Sequence, residues 1–154
     1  MKSYIYFFCF FGALPHGYAQ LNLVSFEQID SLQKVEARNI IVFIHTNWCQ
    51  YCQVMKNKTF KNNEIINTIN DKFYFIEFNA EEKRIITYNN QTFQFKPNGY
   101  NLGVHELAIE LGTINGQLSY PTLCILNHKG EIIFHYNSFL NVKDLKLLFD
   151  KINY

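Results

Sequence analysis

Apolar positions change period several times along the chain, and each change marks an element. Phe26, Ile29, Leu32 and Val35 recur at helical spacing through about Arg38, behind a Ser25-Phe26-Glu27-Gln28 start shaped like a capping box. Asn39 to His45 is nearly all apolar, as expected of a strand covered on both faces. Gln53 to Phe60 reads as a helix, and Asn62 or Asn63 can cap a further helical segment, Glu64 to Asn70, with Ile65, Ile66 and Ile69 inward. Phe73 to Asn79 is a strand of strong β-formers. Helix, strand, helix, strand in this order predicts a right-handed crossover and a parallel pair. Asn22 to Val24 reads as a short edge strand or a lead-in.

The second half alternates faster. Ile85 to Tyr88, then Asn89-Asn90, then Gln91 to Phe95 reads as a hairpin with Asn-Asn at its turn, and Lys96-Pro97-Asn98-Gly99 reads as turn chemistry. Val104, Leu107, Ala108 and Leu111 mark a short amphipathic helix that Gly112 is placed to end. Thr122 to Asn127 and Glu131 to Tyr136 predict two strands joined through His128-Lys129-Gly130. Asn141 caps a last helix with Asp144 three residues on. Val142, Leu145, Leu148, Phe149 and Ile152 form its buried stripe. The prediction is an α/β chain with a central mixed sheet, without repeats or low-complexity stretches.

The first nineteen residues follow another pattern. Lys2 supplies a short positive region, Tyr4 to Leu14 is apolar, and Gly17-Tyr18-Ala19 places small residues where a signal peptidase reads. The stretch is short for a bilayer span. The expectation is a signal peptide over residues 1–19 and one domain over 20–154, with an uncleaved N-terminal anchor as the alternative. Cys9 falls inside the apolar stretch and reads as signal-peptide filler. Export would place the protein, periplasmic or secreted, where disulfides persist.

A chain of 154 residues is long enough to bury a sizeable core, and the 17% aromatic content makes that core rich in rings. The net charge of +1 and the lack of any Lys/Arg cluster give no reason to expect nucleic acid. Nothing signals an oligomer, so the chain reads as a monomer.

The candidate chemistry is Trp48-Cys49-Gln50-Tyr51-Cys52, set between the apolar strand and the helix that follows. The first cysteine lands at a helix N-terminus, where unpaired N–H groups and the dipole favour a thiolate. The second sits one turn inside, close enough to close a small disulfide, and Trp48 can cover the apolar side of the pair. Cys49 is then the nucleophile and Cys52 the resolving thiol in two-electron thiol–disulfide exchange. A static disulfide is the plain alternative, though closing so small a loop would stabilise little. One Cys-x-x-Cys is only half of a four-ligand zinc site, so no metal and no bound cofactor are expected. His45, four residues before Cys49, reads as a strand-end histidine near the site rather than a ligand or proton shuttle. Cys124 reads as a buried core thiol.

Trp48-Cys49-x-x-Cys52 resembles the active site of the thioredoxin superfamily. The continuation Met55-x-x-x-Thr59-Phe60, then Glu64-Ile65-Ile66 and Phe73 to Asn79, is similar to the branch containing the C-terminal periplasmic domain of the transmembrane reductase DsbD. Tyr120-Pro121-Thr122, followed by Leu123 to Leu126 and Lys129-Gly130, is a second, distant marker. The resemblance spans roughly residues 26–152. It implies the thioredoxin fold, a three-layer α/β/α sandwich, here with a hairpin insertion at about 80–102. It further implies that Pro121 is cis and faces the disulfide, and that Trp48, Tyr120 and Pro121 bind substrate, Tyr120 through its backbone. The insertion reads as a surface addition in preference to a partner-docking flap.

Two departures bear on the chemistry. Thioredoxins carry a buried acid six residues before the first cysteine, where this chain has Phe43, so proton transfer must come from elsewhere, with Glu77 on the next strand or bulk water as candidates. Lys56, one turn after Cys52, could support a thiolate. The intervening Gln50-Tyr51 is neither the Gly-Pro of thioredoxin nor the Pro-His of DsbA, and Tyr51 offers a thiolate no positive charge. The expectation is a mildly acidic to near-neutral Cys49 thiol and a reducing couple. The function this implies is a protein-disulfide reductant, acting on exported protein thiols and disulfides and recharged by a membrane electron donor of the DsbD type. Tyrosine before the second cysteine also occurs in isomerases and glutaredoxins. An oxidase or isomerase, or a non-catalytic binding module of this fold, are therefore the alternatives.

Overall fold

The apolar run at Asn39–His45 forms the centre of the sheet. In the computed structural model, which describes residues 19–152, this strand (β1) is inaccessible from Ile40 to His45. It pairs in parallel with β2, Phe73–Asn79, and antiparallel with β9, Thr122–Leu126, which pairs in turn with β10, Ile132–Tyr136. The sheet order is β10-β9-β1-β2. Leu23 adds a single parallel bridge to Phe75, so the Asn22–Val24 segment is an edge. The predicted leader lies outside the described residues from 1 to 18, Cys9 included.

Helices cover both faces because β1 and β9 are apolar on both sides. Helices α2 (Gln50–Asn57), α3 (Asn63–Lys72) and α5 (Val142–Phe149) lie over one face. Met55, Ile65, Ile69, Leu145 and Phe149 there meet Ile41, Phe43, Phe73 and Phe75. On the other face, Phe26 and Ile29 of α1 (Phe26–Val35) and Leu107 and Ala108 of α4 (Glu106–Gly112) meet Ile40, Val42, Ile44 and Phe78. The three-layer thioredoxin architecture is as predicted.

The caps follow the sequence. The Ser25 N–H donates to Gln28 Oε1 at 2.8 Å, and Asn62 Oδ1 accepts from the amides of Glu64 and Ile65. Asn141 Oδ1 accepts from Asp144 N–H at 3.0 Å. These side chains satisfy amides that the first helical turn leaves unpaired.

The segment after β2 differs from its prediction in three places. The first hairpin, β3 (Ile86–Tyr88) with β4 (Gln91–Phe93), turns at Asn89 and Asn90, both at positive φ, as expected. However, Lys96–Gly99 is no turn. It belongs to β5 (Phe95–Gly99), paired with β6 (Leu102–His105), and the chain reverses at Tyr100-Asn101 instead. Pro97 is tolerated because a two-stranded ribbon leaves an edge on each strand. Val104 therefore pairs with Lys96, and α4 begins only at Glu106, capped by His105 Nδ1 accepting from Leu107 N–H at 3.2 Å. Finally, Gly112 closes α4 without the left-handed conformation of a glycine cap. A Cβ there would lie 2.6 Å from Leu118 Cδ1 and 3.2 Å from Ile44, so close packing accounts for the residue. Leu118 belongs to a small hairpin of β7 (Thr113–Ile114) and β8 (Gln117–Leu118).

The insertion is built into the core. Ile86, Tyr88 and Phe93 are buried, and Phe26 meets Tyr88 and Phe78 edge-on at centroid distances of 5.3 and 5.1 Å. In the second hairpin a Cβ on Gly103 would stand 2.4 Å from the Lys96 carbonyl oxygen, a backbone atom that cannot rotate away. Gly103→Ala should destabilise this ribbon by roughly 1–3 kcal/mol, as overpacking does. Faster amide exchange confined to residues 95–105, with unchanged disulfide turnover, is the expected readout.

Candidate active site

Strand β1 ends at His45, and the chain turns through Thr46, Asn47 and Trp48 into α2. Cys49 is the N-cap of α2, and its sulfur accepts the backbone N–H of Cys52 at 3.1 Å. Its own N–H donates to the Thr46 carbonyl at 3.4 Å, which fixes the turn. Cys49 and Cys52 form a disulfide with Cα atoms 5.2 Å apart. Cys49 is 6% exposed and Cys52 fully buried, so of the two residues only Cys49 reaches the surface. The Cys52 amide of the first helical turn and the positive end of the dipole face the Cys49 sulfur. Once the disulfide is reduced they stabilise negative charge on it.

The sheet register brings the distant marker to the same place. Thr122 of β9 pairs with Ile44 of β1, so the residues before β9 reach the edge where β1 hands over to α2. The Tyr120–Pro121 peptide bond is cis. Tyr120 meets Trp48 edge-on with ring centroids 5.9 Å apart. Burial, with the Glu81 charge adding to it, pushes the Tyr120 phenol up to about 12 and keeps it neutral. Trp48 stays 67% exposed, and its indole N–H donates to Glu81 Oε1 at 3.0 Å. On the other side Tyr51 lies 6.0 Å from Phe139, centroid to centroid. Thr59 Oγ1 donates to the Leu140 carbonyl at 2.9 Å, which ties the loop before α5 to the segment after α2.

Beneath α2, polar groups occupy the strand positions beside Phe43. Glu77 is its register partner on β2, and Glu77 Oε1 lies 3.2 Å from His45 Nε2 and 2.5 Å from Lys56 Nζ. Hydrogen bonding from His45, then the Lys56 hydrogen bond and charge, hold the Glu77 carboxyl at about 2 against the opposing cost of burial. This corrects two expectations. Glu77 is too weak a base to take a proton at neutral pH, and Lys56 is committed to Glu77 instead of a Cys49 thiolate. His45 ends β1, as expected of a strand-end histidine near the site, and its ring is buried in this network, stacked on Phe43 with centroids 5.6 Å apart.

Glu77 also makes stability depend on pH. Its folded pKa lies below the ordinary 4.5, so its contribution is complete above pH 4.5 and is lost as pH falls toward about 2. Discounted for partial exposure, the effect is on the order of 1–2 kcal/mol. Urea unfolding of Glu77→Gln between pH 5 and pH 2 should show a flatter dependence than the parent by that amount.

Cys49, Cys52, Trp48, Tyr120 and Pro121 thus come together at one end of the sheet. Glu81 and Phe139 were missed. Each lies far from the Cys-x-x-Cys motif in sequence, on a loop without periodicity, and only the register of β2 and the packing of α5 bring it here. Cys124 is buried and unpaired, and burial pushes its thiol up to about 12.

A mixed sheet with a Cys-x-x-Cys disulfide capping the helix after its central strand, and a cis-proline leading into the neighbouring strand, defines the thioredoxin fold class. The chain belongs to the thioredoxin-like domain family, whose sequence model matches residues 26–153. Similar solved structures include DsbH oxidoreductase, 14% identical over 93% of this chain and 94% of that one, TM-score 0.59. A thioredoxin from Thermus thermophilus is 15% identical over 86% of each chain, TM-score 0.59. The C-terminal domain of Neisseria meningitidis DsbD in its reduced form is 12% identical over 81% of this chain and 90% of that one, TM-score 0.52. At these identities the likeness is one of fold. Among curated proteins none matches the sequence.

Proposed function

We propose that the protein is an exported thiol–disulfide oxidoreductase that reduces disulfides in other exported proteins. The observation that carries the proposal is the Cys49 sulfur, which caps α2 and accepts the Cys52 amide, in the one residue of the pair that is not fully buried. The Cys49 thiolate attacks a partner disulfide, forms a mixed disulfide and expels one partner thiolate. Cys52 then attacks Cys49 Sγ, the second partner sulfur leaves, and the two electrons of the dithiol have passed to the substrate. Trp48 and the Tyr120–Pro121 edge flank the sulfur and would hold an extended partner strand, Tyr120 through its backbone.

The leader pattern of residues 1–19 supports export, and an oxidising compartment requires a partner that restores the dithiol. A membrane electron donor of the DsbD type fills that role. Lys56, one turn beyond Cys52, is paired with Glu77 and so lends no charge to a Cys49 thiolate, which favours a reducing couple over a strongly oxidising one. Equilibration of protein lacking residues 1–19 in glutathione buffers tests the direction. A potential near −270 mV is expected for a reductant, while one near −120 mV would make the protein an oxidase. With no reversible transition at all, a binding module would take its place.

A further inference from the structure

The segment between β2 and β3 carries Glu81, whose carboxylate holds the Trp48 indole, and His105 grips that segment at both ends. As the last residue of β6, His105 donates its backbone N–H to the Ala80 carbonyl at 2.8 Å. Its ring Nε2 lies 3.1 Å from the Arg84 carbonyl. Between these two points the chain is folded on itself. Asn79 Oδ1 accepts the Glu81 amide at 3.0 Å, and Glu82 Oε1 accepts the amides of Lys83 and Arg84. Movement at either end is therefore passed to Glu81, and through it to Trp48.

The partners of the ring fix its protonation. The Arg84 carbonyl can only accept, so Nε2 carries the proton, and Nδ1 is left to accept the Leu107 N–H at 3.2 Å and cap α4. His105 is fully buried, and Phe78 of β2 covers the ring edge-on with centroids 5.4 Å apart. A second proton could go only on Nδ1, directly against the Leu107 N–H. We propose that neutral His105 is a positioning residue for Trp48. It holds the 80–84 segment, and Glu81 on it, beside the disulfide, and releases them when its ring takes a second proton. The bearing of this on turnover rests on the oxidoreductase reading above.

Three charged groups act on the ring. Glu106, at the start of α4, and Glu82, on the segment after β2, favour the imidazolium, while Arg84 on that segment opposes it. Burial outweighs the two carboxylates and pulls His105 below its ordinary 6.5. With the folded value below the unfolded one, the latch is intact above pH 6.5 and is lost as pH falls through the lower folded value. A buried imidazolium facing an N–H donor is costly, so the charged ring moves out to solvent. The Arg84 carbonyl then loses its donor and α4 loses its cap.

Trp48 is the single tryptophan of the chain, so its indole reports the site directly. NMR titration of the oxidised, unmutated protein should move the His105 ring and the Trp48 indole N–H together, with one midpoint below pH 6.5. His105→Gln, which offers a neutral donor and acceptor at every pH, should remove that step from the indole titration. Glu81→Gln keeps an acceptor for the indole and removes the acid's own titration, so the step should remain. Turnover of a protein disulfide such as insulin should fall across the same step on the order of 10-fold beyond the loss from thiol protonation. That excess should be absent in His105→Gln. An indole that stays still while His105 titrates, or an indole step that persists in His105→Gln, would overturn the proposal. No protein-disulfide turnover at any pH, with the coupled step intact, would overturn the oxidoreductase reading and leave the positioning role standing.

Discussion

Replacing Cys52 with serine should turn the protein into a trap. Without the resolving thiol, the mixed disulfide between Cys49 and its partner has no internal route to collapse, so covalent adducts accumulate and disappear on reduction. Cys49→Ser should trap nothing. Either change should lower turnover of insulin or glutathione disulfide on the order of 1,000-fold or more, because nucleophile and resolving thiol act as a unit. Non-reducing gels of the protein produced in its native cell, with mass spectrometry of the adducts, read the first outcome and a coupled assay the second. The adducts identify the partners directly. Cys124 should contribute to neither, since burial holds its thiol up at about 12. In the reduced native protein it should resist alkylation until the chain unfolds. A Cys52→Ser protein free of adducts, or a Cys49→Ser protein with full turnover, would remove the exchange mechanism. Partner capture surviving in both variants would point to a binding module.

The second large effect is on stability. Phe43 is fully buried at the centre of the sheet, where it meets Phe60 edge-on at 4.9 Å and provides the surface on which His45 stacks. Phe43→Ala should cost about 3–5 kcal/mol, from lost transfer energy and the cavity left among Phe60, Leu123 and Met55. That is a large part of the stability of a domain this size. Phe43→Leu, which keeps most of the volume, should cost about 1.5 kcal/mol or less. Urea unfolding midpoints compare the two. Equal losses would mean that the aromatic contacts, and not the volume, hold this layer together.

The site was legible where its logic is local. Cys49 and Cys52 are three residues apart, and a strand-to-helix turn is enough to put the first at a helix N-terminus. The Asn62 and Asn141 caps act within three residues of themselves. Trp48, Tyr120 and Pro121 were assigned through a family resemblance, and the register Ile44 to Thr122 is what joins the two motifs. The errors came where local chemistry was outvoted. Lys96-Pro97-Asn98-Gly99 has every mark of a turn, yet pairing with Leu102–His105 extends it, because cross-strand hydrogen bonds outweigh a weak local preference. Gly112 has the mark of a left-handed cap, yet Leu118 and Ile44 crowd it in an ordinary conformation.

What the sequence alone determined is the redox pair, the apolar strands that must lie inside, and the helices whose caps and stripes are written within a few residues. Those features depend on spacings of two to four positions, over which the backbone leaves little choice. The tertiary structure decided the surroundings of the pair. Glu81 meets Trp48 across 33 residues, Phe139 meets Tyr51, and His45 and Lys56 converge on Glu77 from different elements. A carboxylate beside a histidine and a lysine is an ion-paired, weakly basic group, whereas the same carboxylate alone would be a candidate base. That difference is made by distances of about 3 Å between residues the chain holds far apart, and only the packed sheet sets them.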